Sequence, residues 1–479
     1  MTGPRSHGAA PKPAGPGWLF WPFLLLVLSA PALLGANRPV AWSALALGMG
    51  VLLLAWAATS GGAGAAPVPL RRLAPAALPL LLAVGWALVQ TVPAPPGLHD
   101  PLWSEAAAAL GQPLSTRISL APEEAGTGVM RLITYAAVLF LATQFGHSAR
   151  RESAMLWGVA LAGGAYALYG LLVWADGNRT ILWMAKWAYA ESLTSTFVSR
   201  NSYATFAGVG LCATLALLAR AVSQRTGASA NAAAVLLSLA LAITAALLLT
   251  GSRGGTGSAF LAVVTMAVLV LCGAEALRPR LAFGGSALAL LAAGTAVLGS
   301  GVIERLAPEA TQEWGGRTGI WAGAAAAALD RPLGGGLGAF ADFFPAYRDI
   351  ALDLEFGGVD KAHNLYLELA AELGLPVAAG LLGGVGWLML RATRASLSAS
   401  PGAALAAAGA SVLVAVHSLV DFSLQIPGVT ASFMLLLGAG LGQAERRQAS
   451  ISGPRRESAH RAPAGLRESL QPIAGAADR

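Results

Sequence analysis

Runs of about twenty apolar residues, separated by short polar segments, repeat along most of the chain. A helix that rises ~1.5 Å per residue needs about this length to cross a hydrocarbon core ~30 Å thick. Membrane-spanning strands would show short alternations of apolar and polar residues, a pattern that this sequence lacks. We therefore predict an all-α polytopic membrane protein with about twelve transmembrane helices. Their predicted bounds are Trp18–Leu34, Val40–Thr59, Leu73–Val92, Val129–Phe145, Ala154–Trp174, Ser202–Ala219, Ala232–Thr250, Thr256–Ala274, Leu281–Val302, Leu365–Leu390, Ala403–Val420 and Val429–Leu441.

The segments outside this pattern divide the chain. Residues 1–17 and 443–479 are rich in Pro, Ala, Gly, Ser and Arg, which predicts disordered tails on either side of a transmembrane domain over 18–442. Arg5 and Lys12 precede the first apolar run, as in a secretory signal, but its length, its tryptophans and Pro31 favour a retained helix.

Composition agrees with this class, since 56% of the 479 residues are apolar and only 11% are charged. Short loops on one predicted side each hold basic residues, which the positive-inside rule assigns to the cytoplasm. They include Arg71-Arg72, Arg150-Arg151, Arg220, Arg391 and Arg446-Arg447. Both termini are then cytoplasmic, and the net charge of +7 reflects topology rather than nucleic-acid binding.

The longest predicted outer loop, residues 303–362, is too long for a passive connection. Its stretch "EWGGRTGIWAGAAAAALDRPLGG" predicts a helix near the outer membrane surface that ends at Arg331 and Pro332. The glycines that follow resemble a phosphate-cradling loop, but no strand precedes them and no Gly-Lys-Ser/Thr follows. Arg331 and Arg348 are interpreted as surface or lipid-contacting residues.

Ionisable side chains at membrane depth cost roughly 2.5–3.5 kcal/mol each, so they mark candidate sites. Four positions near the predicted outer face qualify: Arg200, Arg253, Arg317 and His363. Arginine forks suit phosphate or diphosphate oxygens, and a histidine suits general-base work. A site that combines arginines for a lipid-linked diphosphate with a histidine as proton acceptor is suited to glycosyl transfer.

Each candidate also has a structural interpretation. Arg253 could anchor a helix end by snorkelling, and Arg317 could pair with Glu313 one helical turn away. His363 could be only a helix-terminal residue, with Asn364 satisfying free backbone donors beside it. Glu368 and Glu372 are more consistent with supporting roles than with catalysis.

Two further polar residues, His417 and Asp421, lie one turn apart in "HSLVDF". They could bond each other and orient an acceptor, or simply hold two helices together. No metal site is predicted, because the histidines are scattered and no His-Glu-x-x-His is present. We predict no cofactor.

Four stretches in order along the chain resemble the O-antigen ligase and polymerase family of bacterial membrane glycan transferases. They are "FVSRNSYA", "LTGSRGG", "GRTGIWAGAAAAALDRPLGGGLGAF" and "AHNLYLELAAELGLP"; "HSLVDFSLQIPG" is a fifth, looser likeness. The resemblance is strongest over residues 197–427.

The resemblance implies a bundle like that of type-C glycosyltransferases, with a large structured periplasmic loop. It implies metal-independent transfer of a glycan from an undecaprenyl diphosphate carrier to a lipid or glycan acceptor at the periplasmic face of the inner membrane. By the same likeness, Arg253 and Arg317, with Arg200 as a weaker match, hold the diphosphate, and His363 takes the acceptor proton. Asn364, Glu368, Glu372, His417 and Asp421 would support this site.

Three alternatives stay open. A polymerase would join lipid-linked repeat units with the same donor, and a protein-directed glycan transferase would use a polypeptide acceptor. A flippase for lipid-linked glycans would place charges along a path through the bilayer, whereas the candidates here cluster at one predicted face.

Overall fold

The computed structural model describes residues 17–60, 68–224, 226–273, 302–348, 358–398 and 401–452. These residues fold into helices joined by connecting segments. One connection contains a small antiparallel hairpin of two strands, β1 (Thr180–Ile181) and β2 (Met184–Ala185). The α-helices are α1 (Phe20–Ser29), α2 (Pro39–Thr59), α3 (Ala74–Val89), α4 (Pro101–Leu110), α5 (Pro122–Gly146), α6 (Ala149–Ala175), α7 (Arg200–Gln224), α8 (Gly227–Leu249), α9 (Arg253–Gly273), α10 (Val302–Asp330), α11 (Phe340–Phe343), α12 (Leu365–Leu373), α13 (Leu375–Ser398), α14 (Ala403–His417) and α15 (Pro427–Ser452).

Seven helices within the described residues are long and apolar enough to cross a membrane. They are α2, α5, α6, α7, α8, α9 and α13. The prediction of an all-α polytopic membrane protein is therefore confirmed, while the number of twelve spans stays a prediction. Of the predicted span Leu281–Val302, only Val302 is described. The predicted tails are described at residue 17 and over residues 443–452, and the latter form the end of helix α15.

Several predicted spans have bounds that differ from those of the helices in the structure. The run Leu365–Leu390 is not one helix, because Gly374 separates α12 from α13. Gly374 has φ +79, and a Cβ there would lie 2.4 Å from the carbonyl oxygen of Pro332, so only glycine fits this turn. The predicted span Ala403–Val420 ends as a helix at His417.

Helix α7 forms the centre of the bundle, and 89% of its most apolar window is buried. Helix α15 packs closely against α5. A Cβ on Gly438 would lie 2.6 Å from the Leu139 carbonyl oxygen, so the two backbones can approach this closely only because the residue is glycine. This close packing positions the N-terminal ends of α7 and the helices beside it.

The segment between α10 and α12 packs onto the bundle through its backbone. The Gly335 amide donates to Ala371 O at 2.8 Å, and the Gly336 amide donates to Glu372 O at 3.0 Å. Gly334 and Gly336 have positive φ angles, and a Cβ at either would overlap neighbouring atoms. The glycine cluster is therefore a packing element.

Arg331 shows that the outer connections are joined to each other. Its Nε donates to Asp100 Oδ2 at 2.7 Å, and its guanidinium stacks over the rings of Phe343 and Tyr347. The interpretation of Arg331 as a surface or lipid-contacting residue is therefore wrong. The sequence hid this pair because its members are 231 residues apart.

Candidate functional site

Three of the predicted arginines line one cavity at the end of the bundle where α7 and α9 begin. This arginine cavity has a volume of about 340 Å³. It is lined by Arg200, Asn201, Arg253, Gly254, Gly257, Ser258, Arg317, Val416, His417, Leu419 and Val420. None of these residues is acidic, so the cavity favours an anion.

Two of the three arginines lie at helix N-termini, where the partial positive charge of the helix backbone adds to the charge of the guanidinium. Arg200 is the first residue of α7, and Arg253 is the first residue of α9. The N-terminus of a helix carries a partial positive charge and free N–H groups, which bind phosphate readily. Arg317 comes from the middle of α10, which completes the cavity from a third element. The side chain of Glu313, its proposed structural partner, lies outside the described residues.

A hydrogen-bond chain ties the two helix starts together. Ser252 Oγ donates to Asn201 Oδ1 at 2.8 Å and accepts from the Gly255 amide at 3.2 Å. Asn201 Nδ2 in turn donates to Asp421 Oδ2 at 2.7 Å. All three polar side chains are buried, so breaking a link leaves an unsatisfied group and the chain holds its geometry.

Two glycines of "GSRGGTGSAF" shape the cavity wall. A Cβ on Gly254 would lie 2.9 Å from Val420 Cγ2 and 3.2 Å from His417 Nε2, so this position must be small. A Cβ on Gly257 would meet no atom within 4 Å, so a side chain there would project into open space. Gly257 is thus a position where the cavity can be filled without disturbing the wall.

His363 adjoins the arginine cavity but is not among the residues that line it. Its Nδ1 lies 4.0 Å from Asp421 Oδ2 and is buried without a hydrogen-bond partner among the residues that the structure describes. A shift of about 1 Å would bring the two atoms within bonding distance. His363 also has φ +49, a left-handed conformation that is rare outside glycine and is often retained at functional positions.

The environment of His363 favours its neutral form. Burial lowers the pKa of the imidazole below its usual value, the nearby Asp421 carboxylate raises it in part, and the Arg317 guanidinium lowers it further. A neutral imidazole at neutral pH can accept a proton. The Arg317 guanidinium therefore lies close enough to the imidazole to affect its charge.

His417 and Asp421, predicted as a pair, each bond elsewhere. His417 Nδ1 lies 2.6 Å from Thr205 Oγ1, while Asp421 accepts from Asn201 and Ser423. The helix ends at His417, so the one-turn spacing on which the pairing rests does not continue to Asp421. Both residues nevertheless belong to the site, His417 as lining and Asp421 as the carboxylate nearest to His363.

The three predicted supporting residues near His363 have structural contacts. Asn364 caps α12, and its Oδ1 accepts from the amides of Tyr366 and Leu367, as the structural interpretation of this residue expected. Glu368 accepts from the Ala362 amide at 2.9 Å and from Gln425 Nε2 at 2.7 Å. Glu368 therefore fixes the backbone directly before His363. Glu372 is not among the residues that line the arginine cavity, and it accepts from the Phe340 amide.

Arg131 is a further charged residue at membrane depth, and it was not among the candidates predicted from the sequence. It lies in α5 within "GVMRLITYAA", inside the predicted span Val129–Phe145, and its guanidinium stacks over Trp42 at 4.0 Å. An arginine inside an apolar run is itself the signal that could have found it. Among the described residues, no group of three or more His, Cys, Asp and Glu could hold a metal ion.

Comparison with known proteins supports the family predicted from the motifs. A search of curated proteins finds no match to this chain. The sequence model of the O-antigen ligase family matches residues 237–382, a segment that contains Arg253, Arg317 and His363. The predicted resemblance to the O-antigen ligase family is therefore confirmed over residues 237–382.

Proposed function

We propose that the protein transfers a glycan from an undecaprenyl diphosphate carrier to an acceptor at the periplasmic face of the bacterial inner membrane, in the manner of an O-antigen ligase. The family match indicates glycan transfer in O-antigen biosynthesis. The observation that carries the finer proposal is the convergence of Arg200, Arg253 and Arg317 on one cavity without an acidic lining residue. Such a cavity suits a diphosphate better than it suits a neutral sugar.

The three arginines would stabilise the departing carrier. When the bond between the anomeric carbon and the diphosphate oxygen breaks, the oxygen keeps the electron pair and the diphosphate gains negative charge. Guanidiniums and helix N-termini that already point at this position stabilise the charge without reorganising. No covalent intermediate with the enzyme is then needed, and a single in-line displacement inverts the anomeric configuration.

His363 would take the proton of the acceptor hydroxyl as that oxygen attacks the anomeric carbon. Its Nδ1 faces Asp421, so Nε2 is the nitrogen that receives the proton. As the imidazole becomes positively charged, attraction to the buried Asp421 carboxylate would shorten their 4.0 Å separation and stabilise the cation. Asn201 holds Asp421 in place from the opposite side.

The position of the cationic cavity also bears on the flippase alternative. A transport path needs charges along the bilayer, and the arginines that line this cavity are confined to one end of the bundle. At the other end, Arg220 and Arg391 pair with the buried carboxylates of Glu152 and Glu445. This distribution supports transfer at one face over passage through the bundle.

The proposal can be tested in cells that make a surface polysaccharide. We expect Arg317→Ala and His363→Ala to lose mature surface polysaccharide while the lipid-linked precursor accumulates in the periplasm. The control is Arg71→Ala, which removes an exposed arginine away from the cavity and should leave both pools unchanged.

Three outcomes would contradict the proposal. Precursor trapped on the cytoplasmic side would indicate a flippase, and short lipid-linked units that never lengthen would indicate a polymerase. Normal polysaccharide in both alanine variants would exclude the assigned site.

A further inference from the structure

A second cavity lies beside the arginine cavity, on the other side of the last turns of α14. Val416 and His417 line the arginine cavity, whereas Val414, Ala415 and Ser418 line the second one. This side cavity has a volume of about 390 Å³ and is bounded by α5, α12, α13, α15 and the end of α14. Nothing in the proposed donor chemistry uses it.

The side cavity changes from polar to apolar along its length. Glu124, Lys361 and Gln425 line it where α5, α12 and α15 begin. Farther along α13 and α15 the lining is Leu382, Val385, Gly386, Met389, Phe433 and Met434. A cavity that is polar at one end and apolar at the other matches an amphipathic molecule, with its headgroup at the polar end.

Arg131 provides a charged group partway along this cavity. It lies nine residues after the start of α5, or roughly 13 Å at ~1.5 Å per residue. Its Nε is buried and has no hydrogen-bond partner among the described residues. A guanidinium donor that is left unsatisfied at this depth is costly, so its retention points to an oxygen-bearing ligand.

The polar end of the side cavity is also in contact with the segment that carries His363. Glu368, which lines the cavity, binds the Ala362 amide and Lys361 Nζ. A headgroup bound beside Lys361 would therefore lie next to the proposed base. The end of α14 separates this cavity from the arginine cavity, so the arrangement favours an occupant other than the donor.

We propose that the side cavity binds the acceptor, a glycolipid whose acyl chain occupies the apolar end and whose hydroxyl-bearing headgroup contacts Arg131, Lys361 and Glu372. This assignment rests on the proposed transferase function. Burial and the neighbouring Glu368 raise the pKa of the Glu372 carboxyl, which favours a protonated form that can donate a hydrogen bond to a sugar oxygen. The shared segment 361–368 then couples headgroup binding to the position of His363.

A large side chain at Gly386 would fill the side cavity, and Gly383 on the same helix offers a matched control. No atom lies within 4 Å of a Cβ built at Gly386 or at Gly383, and only Gly386 lines the cavity. We expect Gly386→Phe to raise the KM for the acceptor about tenfold without changing the KM for the donor. Gly383→Phe, one turn earlier on the same helix, should change neither value.

Direct binding is measured with a photoactivatable probe. The probe is a monoglycosyl diacylglycerol with a diazirine in one acyl chain, added to the purified protein in phosphatidylethanolamine and phosphatidylglycerol vesicles. We expect it to label α13 near Gly386 in the wild type and in Gly383→Phe, and to label Gly386→Phe about tenfold less. Arg131→Gln should reduce labelling, and Arg131→Lys should restore part of it.

The outcomes separate this proposal from the proposed function. Equal labelling of α13 by a photoactivatable phosphatidylglycerol, or by an undecaprenyl diphosphate probe, would overturn the acceptor assignment. Normal acceptor KM in both Gly386→Phe and Arg131→Gln would do the same. If the wild type transfers no glycan from a lipid diphosphate donor, the proposed function fails, whatever the labelling shows.

Discussion

The two ends of the bundle use arginine in opposite ways. At one end, Glu152 pairs with Arg220 at 2.6 Å and with Arg446 at 3.4 Å, and it is 2% exposed. A second carboxylate, Glu445, pairs with Arg391 and Arg72. At the other end, Arg200, Arg253 and Arg317 line a cavity in which no lining residue is acidic.

The difference shows when a membrane arginine belongs to the architecture and when it belongs to a site. A guanidinium matched by a buried carboxylate holds helices together, and its field is cancelled locally. Arginines that converge without a carboxylate in the lining leave a positive potential for a ligand. Replacing residues at each end should therefore affect stability at one end and activity at the other.

The largest expected effect is on catalysis at the cavity end. In purified protein, Arg253→Ala should lower the transfer rate about 10²- to 10³-fold, because a charge-stabilising donor is lost where the diphosphate departs. The thermal unfolding midpoint should stay near that of the wild type. The assay follows transfer of a labelled glycan, with Arg71→Ala as control. A parallel loss of stability in Arg253→Ala would remove the contrast between the two ends.

The next effect is on stability at the paired end. Glu152→Ala leaves Arg220 and Arg446 without their carboxylate and the Ala403 amide without an acceptor. We expect a loss of about 3–5 kcal/mol in unfolding free energy, the usual cost of breaking a buried pair. Denaturant unfolding in detergent measures it, and Glu152→Gln should lose less. Wild-type stability together with impaired transfer would contradict this assignment.

Filling the arginine cavity should have an intermediate effect on donor binding. Gly257→Leu projects a side chain into open space, so we expect the donor KM to rise about tenfold, a cost near 1.4 kcal/mol. Gly50→Leu, on the exposed face of α2 where a Cβ also meets no atom, is the matched control. An unchanged donor KM in Gly257→Leu would show that the diphosphate binds elsewhere.

The smallest effect concerns pH. Because the pKa of His363 is lowered, the imidazole is neutral at neutral pH, so activity should be flat there and fall only on acidification below about 6.5. Asp421 raises this pKa, so Asp421→Asn should move the acid limb to still lower pH and reduce kcat. Profiles of kcat/KM against pH for both proteins test this. An acid limb that moves upward would exclude Asp421 as the partner of His363.

Particular residues show how far the sequence reaches. The apolar runs predicted helix α2 to within one residue at each end, because a membrane helix must satisfy its own backbone and needs a fixed length. The same runs did not reveal that the helix breaks at Gly374. The turn there is packed against the Pro332 carbonyl oxygen, so the apolar run continues across it. The sequence shows Arg131 as a charged residue in an apolar run, but it does not show the side cavity that Arg131 lines.

By itself, the sequence determined that this chain crosses a membrane repeatedly and that its motifs resemble those of the O-antigen ligases. It also singled out the costly arginines and His363 as candidates for a site. Those conclusions follow from local quantities, namely run length, charge and residue order. Only the tertiary structure decided that Arg331 pairs with Asp100, that His417 bonds Thr205, and that His363 adjoins Asp421 beside the cavity rather than lining it. These contacts join residues far apart in the chain, so helix packing alone fixes them.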